Sequence, residues 1–275
     1  MTPSEIEGLE VRLVLEAIFQ RYGYDLRGYG FESMSRRLRA ALAKSGLEHF
    51  GELQHRVLAD PDFFARVFEN LTVHVSEMFR DPPFYRAFRE RVVPTLRTYP
   101  ELKIWHAGCS SGEEVYATAI VLAEENLYER AQIYATDVSA TALERAREGV
   151  YGGDAALAFA RSYVESGGKR RFEDYTCRAH DRIAVQERLR KNVVFFHHDL
   201  VSDYSLGEMN VVFCRNVLIY FGAALRDRVL GVFSNGLCRG GFLCLGANES
   251  LPASFGTVFS TFAANERIYR LRGAA

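Results

Sequence analysis

The sequence predicts an α/β protein: a parallel sheet covered by helices on both faces, with a small inserted β-subdomain, preceded by a small all-α domain. Three observations carry this expectation. From Lys103 onward, short apolar runs alternate with segments of helical period, the pattern of strand–helix–strand units whose strands are buried on both faces. From Ser4 to Phe68 the apolar residues recur only at helical spacing. The chain has 275 residues, 48% hydrophobic and 25% charged, the composition of an ordinary folded protein with room for one small and one large core.

The elements follow in order. Ile6, Leu9, Leu13 and Ala17 mark a first helix, and Leu38, Ala41 and Leu42 a later one. The run ArgAspProPro at 80–83 ends one element and starts another near Phe84, because proline fixes φ and lacks an amide donor. A helix over 84–96 then stops before Pro100. Residues 103–107 read as a strand, 113–125 as an amphipathic helix and 132–136 as a second strand. A helix over 140–147 has Ser139 as its N-cap and Gly149 just past its end. Residues 192–196 and 210–214 are further buried strands. A helix over 223–237 precedes two closing strands, 241–245 and 267–271. The polar segment 151–191 is too long for a simple connection, and 171–178 with 182–187 reads as a hairpin. The expected organisation is therefore a helical domain over 1–82, a linker helix over 83–100 and an α/β domain over 101–275, with its inserted subdomain at about 152–191.

Charge narrows the function. With 34 basic and 35 acidic side chains the net charge is −1, so no global field draws the protein to nucleic acid or an anionic membrane. The five cysteines are scattered, with no disulfide framework or metal-ligand spacing, as expected of a reducing compartment. The amino-terminal run lacks a signal-peptide core, and no apolar run approaches the roughly 18 residues of a spanning helix, so a cytoplasmic location is expected, with a monomer as the default.

Two segments point to a ligand. In TrpHisAlaGlyCysSerSerGlyGluGlu (105–114) a strand meets a helix through small residues, which lets backbone approach a ligand at a helix amino terminus. No GlyLysSer or GlyLysThr follows, the glycine spacing does not fit GxGxxG, and two glutamates argue against a pyrophosphate. A ligand with a positive group fits better, although Glu113 and Glu114 also suit the helix dipole. Asp137 ends the second strand, where an acid can accept from both ribose hydroxyls; the plainer reading is a turn residue. Together the segments fit a nucleoside without a diphosphate, and S-adenosylmethionine has the matching groups. Arg36, Arg37 and Arg39 form a basic cluster, whose plainer reading is a solvated helix face.

Residues 71–80 (LeuThrValHisValSerGluMetPheArg), 107–116 (AlaGlyCysSerSerGlyGluGluValTyr), 134–139 (TyrAlaThrAspValSer) and 213–221 (PheCysArgAsnValLeuIleTyrPhe) resemble the CheR family of chemotaxis receptor protein-glutamate O-methyltransferases, bacterial signal-transduction enzymes. TyrGlyTyrAspLeu and SerArgArgLeuArg are similar to that family's amino-terminal domain, so the resemblance spans nearly the whole chain. It implies a Rossmann-like S-adenosylmethionine-dependent methyltransferase sheet, methylation of receptor glutamates, and S-adenosylhomocysteine as product. Carried onto this chain, the cofactor positions are His74, Ser76, Arg80, Glu113, Asp137, Asp199, Leu200, Asn216 and Val217. His74 and Ser76 stand where the family usually has Asn and Thr, and Asp199 replaces a frequent Asn. Arg80 is expected to orient the substrate or close the pocket, and Tyr220 to line the transfer site or simply pack beside Phe221. The partner implied is the helical cytoplasmic region of a methyl-accepting receptor, docked through Arg36, Arg37 and Arg39, with the membrane reached only through that receptor. The segment 151–191 resembles a β-subdomain that in some members grips a receptor's carboxyl-terminal peptide by strand addition. Rival readings are a methyltransferase for RNA or a small molecule, which the balanced charge disfavours, and a cofactor sensor that transfers nothing.

Overall fold

A computed structural model describes residues 1–72 and 76–273. The chain divides into two compact units, Met1–Val73 with Tyr220–Val229, and His74–Ile219 with Leu230–Ala275.

The first unit is built on helices α1 (Pro3–Tyr22), α2 (Phe31–Lys44), α3 (Phe50–Ala59) and α4 (Pro61–Leu71). Thr2 and Glu5 cap α1 reciprocally, and Gly23 ends it in the left-handed conformation. Val14, Ile18, Leu38, Leu53 and Val57 are fully buried at its centre. Tyr22 stacks on Phe64 at 3.7 Å between ring centroids and donates its hydroxyl to the Val57 carbonyl at 2.6 Å. Ile6, Leu9 and Leu13, marked by their spacing, are partly exposed; the adjacent Val11, Val14, Leu15 and Ile18 supply the buried stripe.

The second unit opens with α5 (Pro82–Ala87), a π-turn (Phe88–Val92) and α6 (Val93–Leu96). Pro94 explains the π-turn, because it cannot donate to the carbonyl one turn back and the helix widens ahead of it. Then come β1 (Leu102–Ala107), α7 (Glu113–Glu124), β2 (Ala131–Asp137) and α8 (Ala140–Glu148). Ser139 accepts from the Ala142 amide and Gly149 takes the left-handed C-cap, as the residue types predict. After β3 (Val150–Gly152) and α9 (Gly153–Glu165), the strands β4 (Thr176–Ala179) and β5 (Arg182–Val185) form the expected hairpin. Strands β6 (Val193–His197) and β7 (Met209–Cys214) lead to α10 (Ala223–Gly236), which starts in the first unit, and to β8 (Leu237–Leu245), β9 (Phe259–Ala263) and β10 (Ile268–Leu271).

Among the described residues the main sheet has the order β6-β2-β1-β7-β8-β10-β9, parallel from β6 through β8 and antiparallel at β10 and β9. The carboxyl end thus supplies three strands where the apolar pattern predicts two. The small sheet has the antiparallel order β3-β5-β4. It is tied to α7 through Glu124, which accepts from the hydroxyls of Tyr163 and Tyr175 and from the Lys169 amide at 3.0 Å. Among the described residues, no helix is long and apolar enough to cross a membrane.

Candidate functional site

Strands β6, β2, β1 and β7 are adjacent and parallel, so the turns after them gather at one edge of the sheet, the place where open parallel sheets bind ligands. Asp137 ends β2, and Glu113, Asp199, Leu200, Asn216 and Val217 lie in these turns or directly beyond them. The first turn is fastened to its neighbour: the Gly108 and Cys109 amides both donate to the Thr136 carbonyl at 2.8 Å. Gly108 has φ +80°, and a Cβ there would stand 2.5 Å from Val217 Cγ2. The backbone after β1 therefore passes directly against Val217, a path open only to glycine.

The two glutamates that open α7 have different surroundings. Glu113 is 7% exposed, and the Ser111 hydroxyl lies 2.8 and 2.9 Å from its two oxygens. Burial pushes the Glu113 carboxyl above the ordinary glutamate range, against the bonds donated by Ser111 and Ser76. Glu114 instead bonds Arg215 at 2.8 Å and His106 Nδ1 at 3.2 Å. Burial opposes its ionisation too, but the Arg215 charge and the His106 contact hold its carboxyl below the usual range. Glu114 is thus spent on neutralising Arg215, and Glu113 is the acid beside Ser76 and Ser111.

Asp137 accepts from the Ser110 amide at 2.8 Å and the Ser139 amide at 3.0 Å, one bond to each oxygen, which fixes the carboxylate and leaves acceptor capacity on both. Asp199, 8% exposed, accepts from the Val201 amide at 2.9 Å, while its own amide donates to Asp203 at 2.8 Å. Burial raises its carboxyl. Leu200 is buried beside it. Asn216 takes the left-handed conformation at φ +62°. His74 lies outside the described residues.

Two residues that the sequence reading missed hold these turns in place. The Arg215 side chain is 1% exposed; it bonds Glu114, reaches Asp81 at 2.8 Å and donates twice to the Arg80 carbonyl at 3.3 Å. Its guanidinium lies 4.0 Å from the Phe84 ring centroid. Arg80, itself half-buried, is thereby held by its backbone. A charged residue directly after the apolar run of β7 was the available signal, but its partners lie more than 100 residues away. The second is Glu249, whose carboxylate accepts backbone amides from the turn after β7.

The remaining expected site residues belong to the helical unit. The Tyr220 carbonyl accepts from the Gly30 amide at 2.8 Å, and its ring lies 4.5 Å from the Arg37 guanidinium carbon. Arg37 is half-buried and donates to the Leu71 carbonyl, because its position on α2 turns it toward α4 and Tyr220. Arg39 is exposed but paired with Glu7, and Arg36 is exposed.

The strand-end site suits S-adenosylmethionine on its own chemistry. It offers a glycine-lined turn without room for a Cβ, a buried acid for a cationic group, and an acid at the end of β2 for a ribose. The buried Ser110 hydroxyl has no hydrogen-bond partner among the described residues, a polar group left over for a ligand.

Comparison with known proteins agrees. Residues 74–268 match the CheR methyltransferase SAM binding domain, and residues 9–72 match the CheR methyltransferase all-alpha domain. The chain is 44% identical to a candidate methyltransferase, Cher3 of Pseudomonas putida, over 98% of this chain and 99% of that one. It is 35% identical to the chemotaxis protein methyltransferase Cher2 of the same organism, over 79% and 82% of the two chains. It is 31% identical to a chemotaxis protein methyltransferase of Listeria monocytogenes, over 85% and 88%. The larger unit is therefore a Rossmann-like, S-adenosylmethionine-binding methyltransferase domain, and the chain belongs to the CheR family of chemotaxis methyltransferases.

Proposed function

We propose that the protein methylates glutamate side chains of a chemotaxis-type receptor, converting carboxylate to methyl ester and S-adenosylmethionine to S-adenosylhomocysteine. The observation that carries this reading is the buried Glu113, an acid kept in the first strand-end turn of a family cofactor domain and faced by two serine hydroxyls. The relatives named as chemotaxis methyltransferases support the receptor as substrate.

When bound, the cofactor supplies an electrophilic methyl group on a sulfonium. A glutamate carboxylate needs no deprotonation to attack it, so the site needs no strong general base. Attack of an anion on a cation reduces charge in the transition state, and exclusion of water favours it. The residues' tasks are then to hold and orient. Glu113 would take the ammonium, Asp137 the ribose hydroxyls and Asp199 the adenine amino group, while Leu200, Asn216 and Val217 would add further contacts to the cofactor. Arg80, anchored through its carbonyl by Arg215, would orient the substrate carboxylate or close the pocket. On this reading the protein works in the cytoplasm and meets the membrane only through its receptor.

The test is incubation with methyl-labelled S-adenosylmethionine and receptor-containing membranes. Label on the receptor that is released as methanol by base supports glutamate ester formation. Cofactor binding without transfer refutes it. Arg80→Ala should lower turnover or cofactor affinity, and a variant unchanged in both removes Arg80 from the mechanism.

A further inference from the structure

Glu249 lies four residues beyond β8, is 4% exposed, and belongs to none of the strand ends that make the cofactor site. Its carboxylate is met by backbone amides. One oxygen accepts from Asn216 at 2.9 Å and Gly246 at 2.6 Å, and the other accepts from Ile219 at 3.2 Å. The Leu218 amide adds a further bond. Three of these donors belong to one turn, residues 216–219, which leaves the end of β7 through the left-handed Asn216. A non-glycine residue in that conformation persists only where its surroundings impose it. Here the imposition is a charged acceptor that collects the turn's amides at one point, stronger per bond than a neutral partner.

The end of β8 is shaped to admit this contact. A Cβ at Gly246 would stand 2.8 Å from the Asn216 amide nitrogen and 2.8 Å from the Glu249 oxygen that binds it. Val217, next in the turn, lies against the space where a Cβ of Gly108 would be. The carboxylate thus reaches the wall of the strand-end site through two backbone steps and needs no contact with a ligand.

We infer that Glu249 is a positioning residue for the cofactor: by gathering the amides of Asn216, Leu218 and Ile219 it sets the turn that presents Asn216 and Val217, and so sets cofactor affinity without touching the reacting atoms. This rests on the reading of that turn as a wall of the cofactor site. Glu249→Gln keeps the shape but turns an amide NH2 toward amide donors whichever way the side chain flips. Gly246→Ala disturbs the same contact from the opposite side and leaves the carboxylate intact.

Both variants are to be compared with the full-length parent by calorimetric binding of S-adenosylhomocysteine, by KM and kcat for labelled S-adenosylmethionine, and by amide hydrogen exchange. In Glu249→Gln the dissociation constant and KM rise about tenfold, the scale of one buried acceptor turned against its donor, while kcat at saturation stays within about twofold. Exchange quickens at Asn216, Leu218 and Ile219 but not at the paired Val211–Phe213 of β7. Gly246→Ala moves the same observables the same way. An unchanged dissociation constant, a fall in kcat at unchanged KM, or exchange that quickens throughout the sheet overturns the inference. A parent that binds S-adenosylhomocysteine but methylates no receptor refutes the substrate reading alone, since the binding comparison still decides the role of Glu249.

Discussion

Replacing Arg215 with methionine keeps most of the side chain's apolar stem and removes its charge. The arginine is 1% exposed and its main partner, Glu114, 18% exposed, so the variant leaves a carboxylate behind in a poorly solvated place. Breaking a buried pair from one side costs about 3–5 kcal/mol, mostly for the charge left unpaired. Asp81, 40% exposed, is screened by water and adds under about 1 kcal/mol. A total near 4 kcal/mol, at about 2–4 °C per kcal/mol for a body of this size, predicts a fall in Tm of roughly 8–16 °C. The double variant Arg215→Met with Glu114→Gln no longer holds the stranded charge and should recover more than half of that loss. Thermal and urea denaturation of the single and double variants against the parent measures both quantities. A single variant within about 3 °C of the parent, or a double variant no more stable than the single, refutes the claim that the Arg215–Glu114 pair fastens the Arg80 segment to the sheet.

Three further outcomes follow from the geometry. Burial raises the Glu113 carboxyl, so Glu113 takes up a proton as pH falls from neutrality through its raised range, and protonation removes the attraction for an ammonium. Binding of S-adenosylhomocysteine should weaken over that interval, and Glu113→Gln should bind weakly with a flatter pH profile by calorimetry. Gly108→Ala meets both a positive φ and a methyl at 2.5 Å, and should weaken cofactor binding at least tenfold; Val217→Ala in the same chain should restore part of it by removing the clash, as measured by calorimetry. Charge reversal at exposed Arg36 should raise the KM for receptor and leave S-adenosylhomocysteine affinity unchanged, whereas Arg37→Ala should cost about 1–2 kcal/mol of stability by losing its bond to Leu71 and its contact with Tyr220, read by denaturation.

Where structure is local in sequence, the sequence was legible. Ser139 and Gly149 bracket α8 because a hydroxyl N-cap and a left-handed C-cap are properties of single residues. The strand ends at Ala107 and Asp137 were equally plain, since apolar runs stop where small and acidic residues begin. Other elements were hidden by their surroundings. Helix α9 buries only Phe159 and Tyr163 and starts from two glycines, so its period was diluted within a polar segment. Strand β9 fully buries only Phe259 and Ala263, too few for an apolar run. Glu113 and Glu114, adjacent in sequence, diverge by about 100° around the helix, and only the positions of Ser76, His106 and Arg215 give them different work. The contacts of Arg215 and Glu249 join turns far apart in the chain, and residue spacing carries no record of such pairs.

The most direct measurement is the transfer of labelled methyl groups from S-adenosylmethionine to a receptor's helical cytoplasmic fragment, with the labelled residues located by peptide mass spectrometry. The account predicts base-labile methyl esters on glutamate side chains, formed by the parent and slowed in Glu113→Gln. Label on any other residue type, or none on receptor from a chain that binds S-adenosylhomocysteine, would contradict it.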